Sequence, residues 1–203
     1  MSAAYEVATP LGPARVLADG PEGPRGTLVL GGGAGGSVEA ADLAAVSAAV
    51  VGAGWRVLRV EQPWRVGGKR IAPAPARLDV GWAAVLHHLR GQGDLTGPLV
   101  LGGRSAGARV ACRSAAAEGA AGVLALAFPL HPPGRPERSR ADELTAVAVP
   151  MLVVQGERDP FGGPPELRAA VPAATVRAVP GDHSLRQALD ELPAAVLPFL
   201  ETL

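Results

Sequence analysis

Six short apolar runs punctuate this chain, and most are separated by segments with helical spacing, a pattern that few architectures accommodate. The runs are Thr27–Leu30, Arg56–Val60, Leu99–Gly102, Gly122–Ala127, Met151–Gln155 and Thr175–Val179. Runs this short and mostly apolar suit strands buried on both faces, although Arg56 and Arg59 interrupt the second run and Arg177 the sixth. An alanine-rich helical segment from about Val38 to Val51 separates the first two runs. Between the second and third, Leu78, Trp82, Val85, Leu86 and Leu89 fall on one face at helical spacing. Strand alternating with helix predicts an α/β fold, a three-layer αβα sandwich whose mostly parallel central sheet is covered on both sides. Two segments near the start, Tyr5–Ala8 and Ala14–Leu17, predict a short hairpin. The last helix, from about Pro193, contains Pro198, which should kink or shorten it. The 203 residues show no repeat and suit one domain spanning 1–203.

The third run leads into Leu101-Gly102-Gly103-Arg104-Ser105-Ala106-Gly107, and a small-residue helical stretch follows from Ala108 to Glu118. Strand, then Gly-x-Ser-x-Gly, then helix is the pattern of a nucleophile elbow. A very tight strand-to-helix turn forces strained backbone on the serine and exposes its hydroxyl above the sheet. Side chains at Gly103 and Gly107 would collide with the neighbouring strand and helix. The helix that follows aims its free N–H groups at the reaction centre. Ser105 is therefore the candidate nucleophile.

Two further runs end in polar residues of the kind such a serine needs. Met151–Gln155 leads into Gly156-Glu157-Arg158-Asp159-Pro160-Phe161-Gly162, and Thr175–Val179 into Pro180-Gly181-Asp182-His183-Ser184. Both lie just past the carboxyl ends of predicted strands, the edge where open parallel sheets bind ligands. His183 is the candidate base and Asp159 the preferred acid. Glu157 and Asp182 are its rivals, Asp182 being poorly placed to orient the ring of its own neighbour. Asp159 before Pro160 could equally begin a turn, and His183 could be a loop residue without a task.

The first run opens into Gly31-Gly32-Gly33-Ala34-Gly35-Gly36-Ser37. A phosphate-binding Walker loop would require Gly-Lys-Ser/Thr here, and the only lysine is Lys69. Gly31, Gly33 and Gly36 can be fitted to a dinucleotide fingerprint with Glu61 as the distant acid, but that reading leaves Ser105, Asp159 and His183 unexplained. His87 and His88 lie mid-helix on different faces, and no other His/Cys cluster suggests a metal. The site residues require neither a metal nor an organic cofactor.

Taken together, these segments resemble the α/β-hydrolases, which also carry their residues in the order serine, acid, histidine. The likeness is to the compact bacterial dienelactone-hydrolase-like group, and within it to the subfamily holding eukaryotic testis-expressed and NSL-complex subunit members. Thr9–Gly12, Gln62-Pro63-Trp64 through Gly68-Lys69-Arg70, Phe128-Pro129-Leu130-His131-Pro132-Pro133-Gly134, Gln155–Gly162 and Gly181–Leu185 carry it, together spanning nearly the whole chain. The family's early loop usually has a histidine before its glycine, where Gly32 stands here. The resemblance implies an oxyanion hole of backbone N–H groups, one from Ala106 and one from near Ala34. It also implies a serine hydrolase acting on a small ester or thioester through an acyl-enzyme. Acyl transfer or peptide cleavage with the same residues, or a scaffold without turnover, are the alternatives. Dehalogenation is disfavoured, because that branch needs aspartate at the nucleophile position.

Trp64, Arg65 and His131 follow strand ends on the same edge and are candidate pocket residues, with Gly33 in the early loop and Arg104 beside the serine. Only residues 128 to 148 separate the fourth run from the fifth, room for one short helix near Glu137–Ala146 but not for a cap domain. Nineteen basic and nineteen acidic residues cancel, which gives no reason to expect nucleic acid or an anionic membrane as partner. No apolar run approaches the roughly 20 residues of a membrane span, and no signal peptide is visible, so a cytoplasmic protein is expected. The expected partner is a small acyl substrate, and the protein is expected to be a monomer or homodimer. Cys112, the single cysteine, forms no internal disulfide and should pack in the core.

Overall fold

The computed structural model describes residues 2–35 and 37–203, so Gly36 of the early glycine run lies outside the described residues. Eight strands form one sheet in the order β1-β2-β4-β3-β5-β6-β7-β8. They are β1 (Ser2–Val7), β2 (Ala14–Asp19), β3 (Thr27–Gly31), β4 (Arg56–Glu61), β5 (Leu99–Arg104), β6 (Gly122–Leu126), β7 (Met151–Gly156) and β8 (Thr175–Val179). β2 pairs antiparallel with both β1 and β4, and every later pairing is parallel. The helices are α1 (Ala41–Gly52), α2 (Pro63–Val66), α3 (Pro75–Gly91), α4 (Ala106–Ser114), α5 (Ala141–Thr145), α6 (Pro164–Ala170) and α7 (Leu192–Leu200).

Strand alternation sorts the apolar side chains into two cores, one on each face of the sheet. On one face Val29, Leu58, Leu101, Val123 and Val153 meet α3 and α4. Trp82 is fully buried there and its indole N–H donates to Ser114 Oγ at 3.1 Å. On the other face Leu28, Val57, Val100, Leu124 and Leu152 meet Leu43, Val46 and Val50 of α1 and Leu192, Val196 and Leu200 of α7. This is the three-layer sandwich that the alternating pattern predicts. The stripe Leu78, Trp82, Val85, Leu86 and Leu89 is the buried face of α3.

Several element boundaries differ from the sequence expectation, β1 (Ser2–Val7) and α5 (Ala141–Thr145) among them, and three concern the longer helices. α1 begins at Ala41, three residues later than Val38, because Ala40 N donates to Ser37 O and closes a turn first. α4 starts at Ala106, directly after the serine. α7 continues through Pro198 and ends at Leu200, so the proline falls in the last turn, where its missing N–H costs one ladder bond. Between β6 and β7 the chain forms only a 3₁₀ turn, Pro136–Arg138, and the five-residue α5, so no large lid is inserted. Cys112 is buried, and its thiol is pushed up to about 12 by that burial. Among the described residues, no helix is long and apolar enough to cross a membrane.

Candidate active site

Parallel strands leave their carboxyl ends on one edge of the sheet, and the polar residues just beyond β5, β7 and β8 meet there. Ser105 sits between β5 and α4 with φ 53° and ψ −109°, a conformation that side-chain-bearing residues rarely adopt. Close packing holds it: a Cβ on Gly107 would overlap the carbonyl of Gly31, and one on Gly103 would lie 2.5 Å from that same oxygen. The backbone N–H of Ser105 donates to Leu126 O of β6 at 2.9 Å. The elbow is thus wedged between two strands and its own helix, which explains why the motif requires both glycines.

Ser105 Oγ lies 2.9 Å from His183 Nε2, and His183 Nδ1 lies 2.8 Å from Asp159 Oδ2. The Asp159 side chain is wholly buried and that of His183 is 17% exposed, so the acid is shielded while the ring reaches the surface cleft. With a carboxylate on Nδ1, that nitrogen carries the proton and Nε2 is left to accept from the serine hydroxyl. Asp182 takes no part in this series. Its Oδ1 accepts from the backbone N–H and hydroxyl of Ser184, which hold its carboxyl below the ordinary range. The exposed Glu157 likewise stands apart from the ring.

Three contacts that the sequence did not disclose surround this series. The Phe161 ring lies against the His183 ring, centroids 4.2 Å apart and tilted by 33°. Phe161 N–H donates to Asp159 Oδ1 at 2.8 Å. Gln155, fully buried at the end of β7, donates from Nε2 to Asp159 Oδ2 at 2.8 Å. One sequence signal was there for Gln155: a polar side chain closing a buried apolar strand must find partners.

Two cavities flank the elbow. A wide cleft of about 520 Å³ is bounded by Ala34, Asp42, Arg104, Ser105, Phe161 and His183 among others. A narrow slot of about 20 Å³, room for about one water, lies beside Gly33, Trp64, Arg65, Leu78, Ala106 and Val110. Gly33, Trp64 and Arg65 border the slot and Arg104 the cleft, with Ala34 on the serine's side and Ala106 on the other. Ala106 is the first residue of α4, so its N–H falls outside the helix ladder.

Arg104 has structural ties as well as a place in the cleft. Its Nη2 donates to His183 O at 3.1 Å, and its Nε lies 3.1 Å from Asp42 Oδ2, within ion-pair range although without hydrogen-bond alignment. Burial pushes the Asp42 carboxyl above its usual range, against the pull of Arg104. The arginine thereby links α1 to the histidine loop. His131 borders neither cavity. Its ring is enclosed between Pro132 O, 2.9 Å from Nδ1, and Glu166 Oε2, 2.9 Å from Nε2. Among the described residues, no group of three or more His, Cys, Asp or Glu could hold a metal.

A serine, histidine and buried aspartate joined in series on the carboxyl edge of such a sheet define a serine-hydrolase type of site on an α/β-hydrolase fold. The chain belongs to the family described as alpha/beta hydrolase domain, whose profile matches residues 24–191. Among curated proteins, none matches the sequence. Solved structures share the fold. A serine hydrolase without a lid from Xanthomonas campestris is 24% identical, with 99% of this chain and 94% of that one covered and a TM-score of 0.81. A serine hydrolase homologue from Coxiella burnetii is 21% identical over 99% of this chain and 97% of that one, with a TM-score of 0.79. Est1E of Butyrivibrio proteoclasticus, with ferulic acid bound, is 17% identical over 98% of both chains, with a TM-score of 0.82.

Proposed function

We propose that this protein hydrolyses a small ester or thioester, with Ser105 as nucleophile, His183 as general base and acid, and Asp159 as the group that orients the ring. The observation that carries this reading is the unbroken series from Ser105 Oγ through His183 to Asp159, with links of 2.9 and 2.8 Å. In the proposed reaction, His183 Nε2 takes the hydroxyl proton as Oγ attacks the carbonyl carbon. Asp159 stabilises the imidazolium that forms and keeps the proton on Nδ1. The backbone N–H groups of Ala106 and Ala34 hold the oxyanion. Each such donor is worth about 3 kcal/mol of transition-state stabilisation. The imidazolium then protonates the leaving alcohol or thiol, and water activated by the same nitrogen hydrolyses the acyl-enzyme.

The wide cleft beside Ser105 and the absence of a large lid between β6 and β7 support a small substrate that enters directly from solvent. Within the superfamily, the stretches Phe128–Gly134 and Gln155–Gly162 support placement in the compact dienelactone-hydrolase-like group, on the branch with testis-expressed and NSL-complex subunit members. The balanced charge supports a small-molecule partner rather than nucleic acid.

The test is labelling of the purified protein with a fluorophosphonate probe, alongside Ser105→Ala and p-nitrophenyl esters of increasing acyl length. The proposal expects stoichiometric labelling and ester turnover that both vanish in Ser105→Ala. A folded wild type that neither labels nor turns over any ester would overturn it in favour of a scaffold role.

A further inference from the structure

We infer that Gln155 is a positioning residue of the Ser105–His183–Asp159 series, acting through Asp159 by fixing which carboxylate oxygen faces the histidine. Its predicted effect on turnover rests on the hydrolase reading above. The Gln155 amide nitrogen reaches three oxygens: Asp159 Oδ2 at 2.8 Å, Gly162 O at 2.8 Å and Phe128 O at 3.1 Å. A carboxamide has two N–H bonds, so three acceptors compete for two donors, and the charged carboxylate competes best. Turning the amide over would set its carbonyl oxygen against all three, so the surroundings fix its orientation.

The other end of the same group argues that stability alone does not account for it. Gln155 Oε1 is buried and has no hydrogen-bond partner. An apolar residue of the same shape would avoid that desolvation cost. The targets of the two donors explain the glutamine instead. Asp159 Oδ2 accepts from both His183 Nδ1 and Gln155, while Oδ1 accepts from Phe161 N–H. Without Gln155 the carboxylate is anchored to the protein frame by one backbone N–H and can turn about it.

The second donor serves the same end. Gly162 O belongs to the loop that carries Asp159 and Phe161, and Gly162 N–H donates to Asp159 O. Gly162 adopts φ +116°, and a Cβ there would lie 2.8 Å from Leu130 Cβ, so only glycine presents its carbonyl to Gln155 in this way. One side chain therefore pins both the carboxylate and the turn that aims it. Phe128 O adds the segment just past β6, so two segments of the site share one amide.

The first experiment compares full-length wild type with Gln155→Met, which keeps shape and removes both donors, using p-nitrophenyl acetate across pH. The expected result is a fall in kcat of about tenfold or more with KM within about twofold. That is smaller than the roughly 10⁴-fold loss when the histidine tautomer is wrong, because Asp159 remains. The acid limb of the kcat/KM profile should also move to higher pH, because a carboxylate relieved of one donor holds the imidazolium more strongly. Unchanged kcat and an unmoved limb in folded Gln155→Met would overturn the inference. A second measurement needs no variant to fold: the side-chain amide resonances of Gln155 are followed by NMR in wild type as His183 titrates. They should shift with the same midpoint as the ring, and resonances indifferent to that titration would overturn the inference. This arm reads the coupling whether or not an ester is turned over.

Discussion

Two histidines on this edge of the sheet each pair with a carboxylate at nearly the same distance, and only one of them is fitted to act on a substrate. His183 meets Asp159 at 2.8 Å and His131 meets Glu166 at 2.9 Å. The difference lies at the second ring nitrogen. His183 Nε2 faces a hydroxyl, which both donates and accepts, at the wall of a wide cleft. His131 Nδ1 faces the carbonyl of Pro132, which only accepts, so both its ring nitrogens look onto acceptors. A ring in that position is best satisfied by carrying both protons, and a doubly protonated ring is no base. The Pro132 carbonyl, and after it Glu166, raise the His131 pKa above its ordinary value. A histidine–carboxylate pair is therefore no site by itself; the free nitrogen and what it faces decide.

The sharpest way to break this comparison is to remove each ring in turn. His183→Gln should lower kcat/KM by about 10⁴-fold or more, because the nucleophile loses its base and the imidazolium its place. His131→Ala should leave kcat/KM within about threefold, since that ring touches no reacting atom. The same substitution should cost about 1–3 kcal/mol of stability, from the partners left without a donor. Steady-state kinetics and denaturant unfolding on the two variants check both statements. A large kinetic loss in His131→Ala would mean that the ring holds the backbone of its segment in place against the Asp159 loop, which it meets through the backbone N–H of His131 donating to Phe161 O at 3.0 Å.

That contrast also marks how far the sequence could be read. The inner parallel strands β3, β5, β6 and β7 and the α3 stripe were legible because burial on both faces writes continuous apolar runs, and burial on one helix face writes a 3.6-residue period. Ser105, Asp159 and His183 were legible as candidates because strand ends in such a sheet converge on one edge. His131 occupies an equivalent strand-end position, so position alone ranked it with the pocket residues. Its separation from both cavities comes from Glu166, 35 residues further along the chain on α6, a contact no local pattern encodes. Gln155 was hidden for the opposite reason. Two of its partners, Asp159 and Gly162, are close in sequence, but the direction of its amide also depends on Phe128 O, 27 residues away and brought beside them only by packing. The link from Arg104 to Asp42 and His183 O likewise joins three elements distant in the chain.

A gentler probe separates the two pairs by pH. His131 is raised above 6.5 in the folded state, so its contribution to stability is complete below 6.5 and is lost as pH rises through the folded value. Glu166 is lowered from 4.5, chiefly by the Gly163 N–H and then by His131, so its share is present above 4.5 and is lost as pH falls through the folded value. The pair is therefore at full strength between those limits, and its contribution to thermal stability should decline as pH rises above 6.5. In His131→Ala that part of the alkaline slope should disappear. Arg140 is the nearby cation and opposes the charged ring, so Arg140→Gln should carry the decline to still higher pH.

The smallest effect is expected from Glu166→Gln. The Glu166 side chain is 52% exposed, so solvent screens its charge and its loss should cost less than about 1 kcal/mol. Its Oε1 also accepts from Gly163 N–H at the start of α6, a role that an amide oxygen can keep. What the substitution removes is the charge facing His131, so the alkaline decline in Tm should begin at lower pH than in wild type while activity is unchanged. Tm measured from pH 5 to 9 reads this directly. An unmoved decline would assign the raised His131 pKa to the Pro132 carbonyl alone, and the pairing with Glu166 would then be proximity without consequence, the full opposite of the role proposed for Asp159 beside His183.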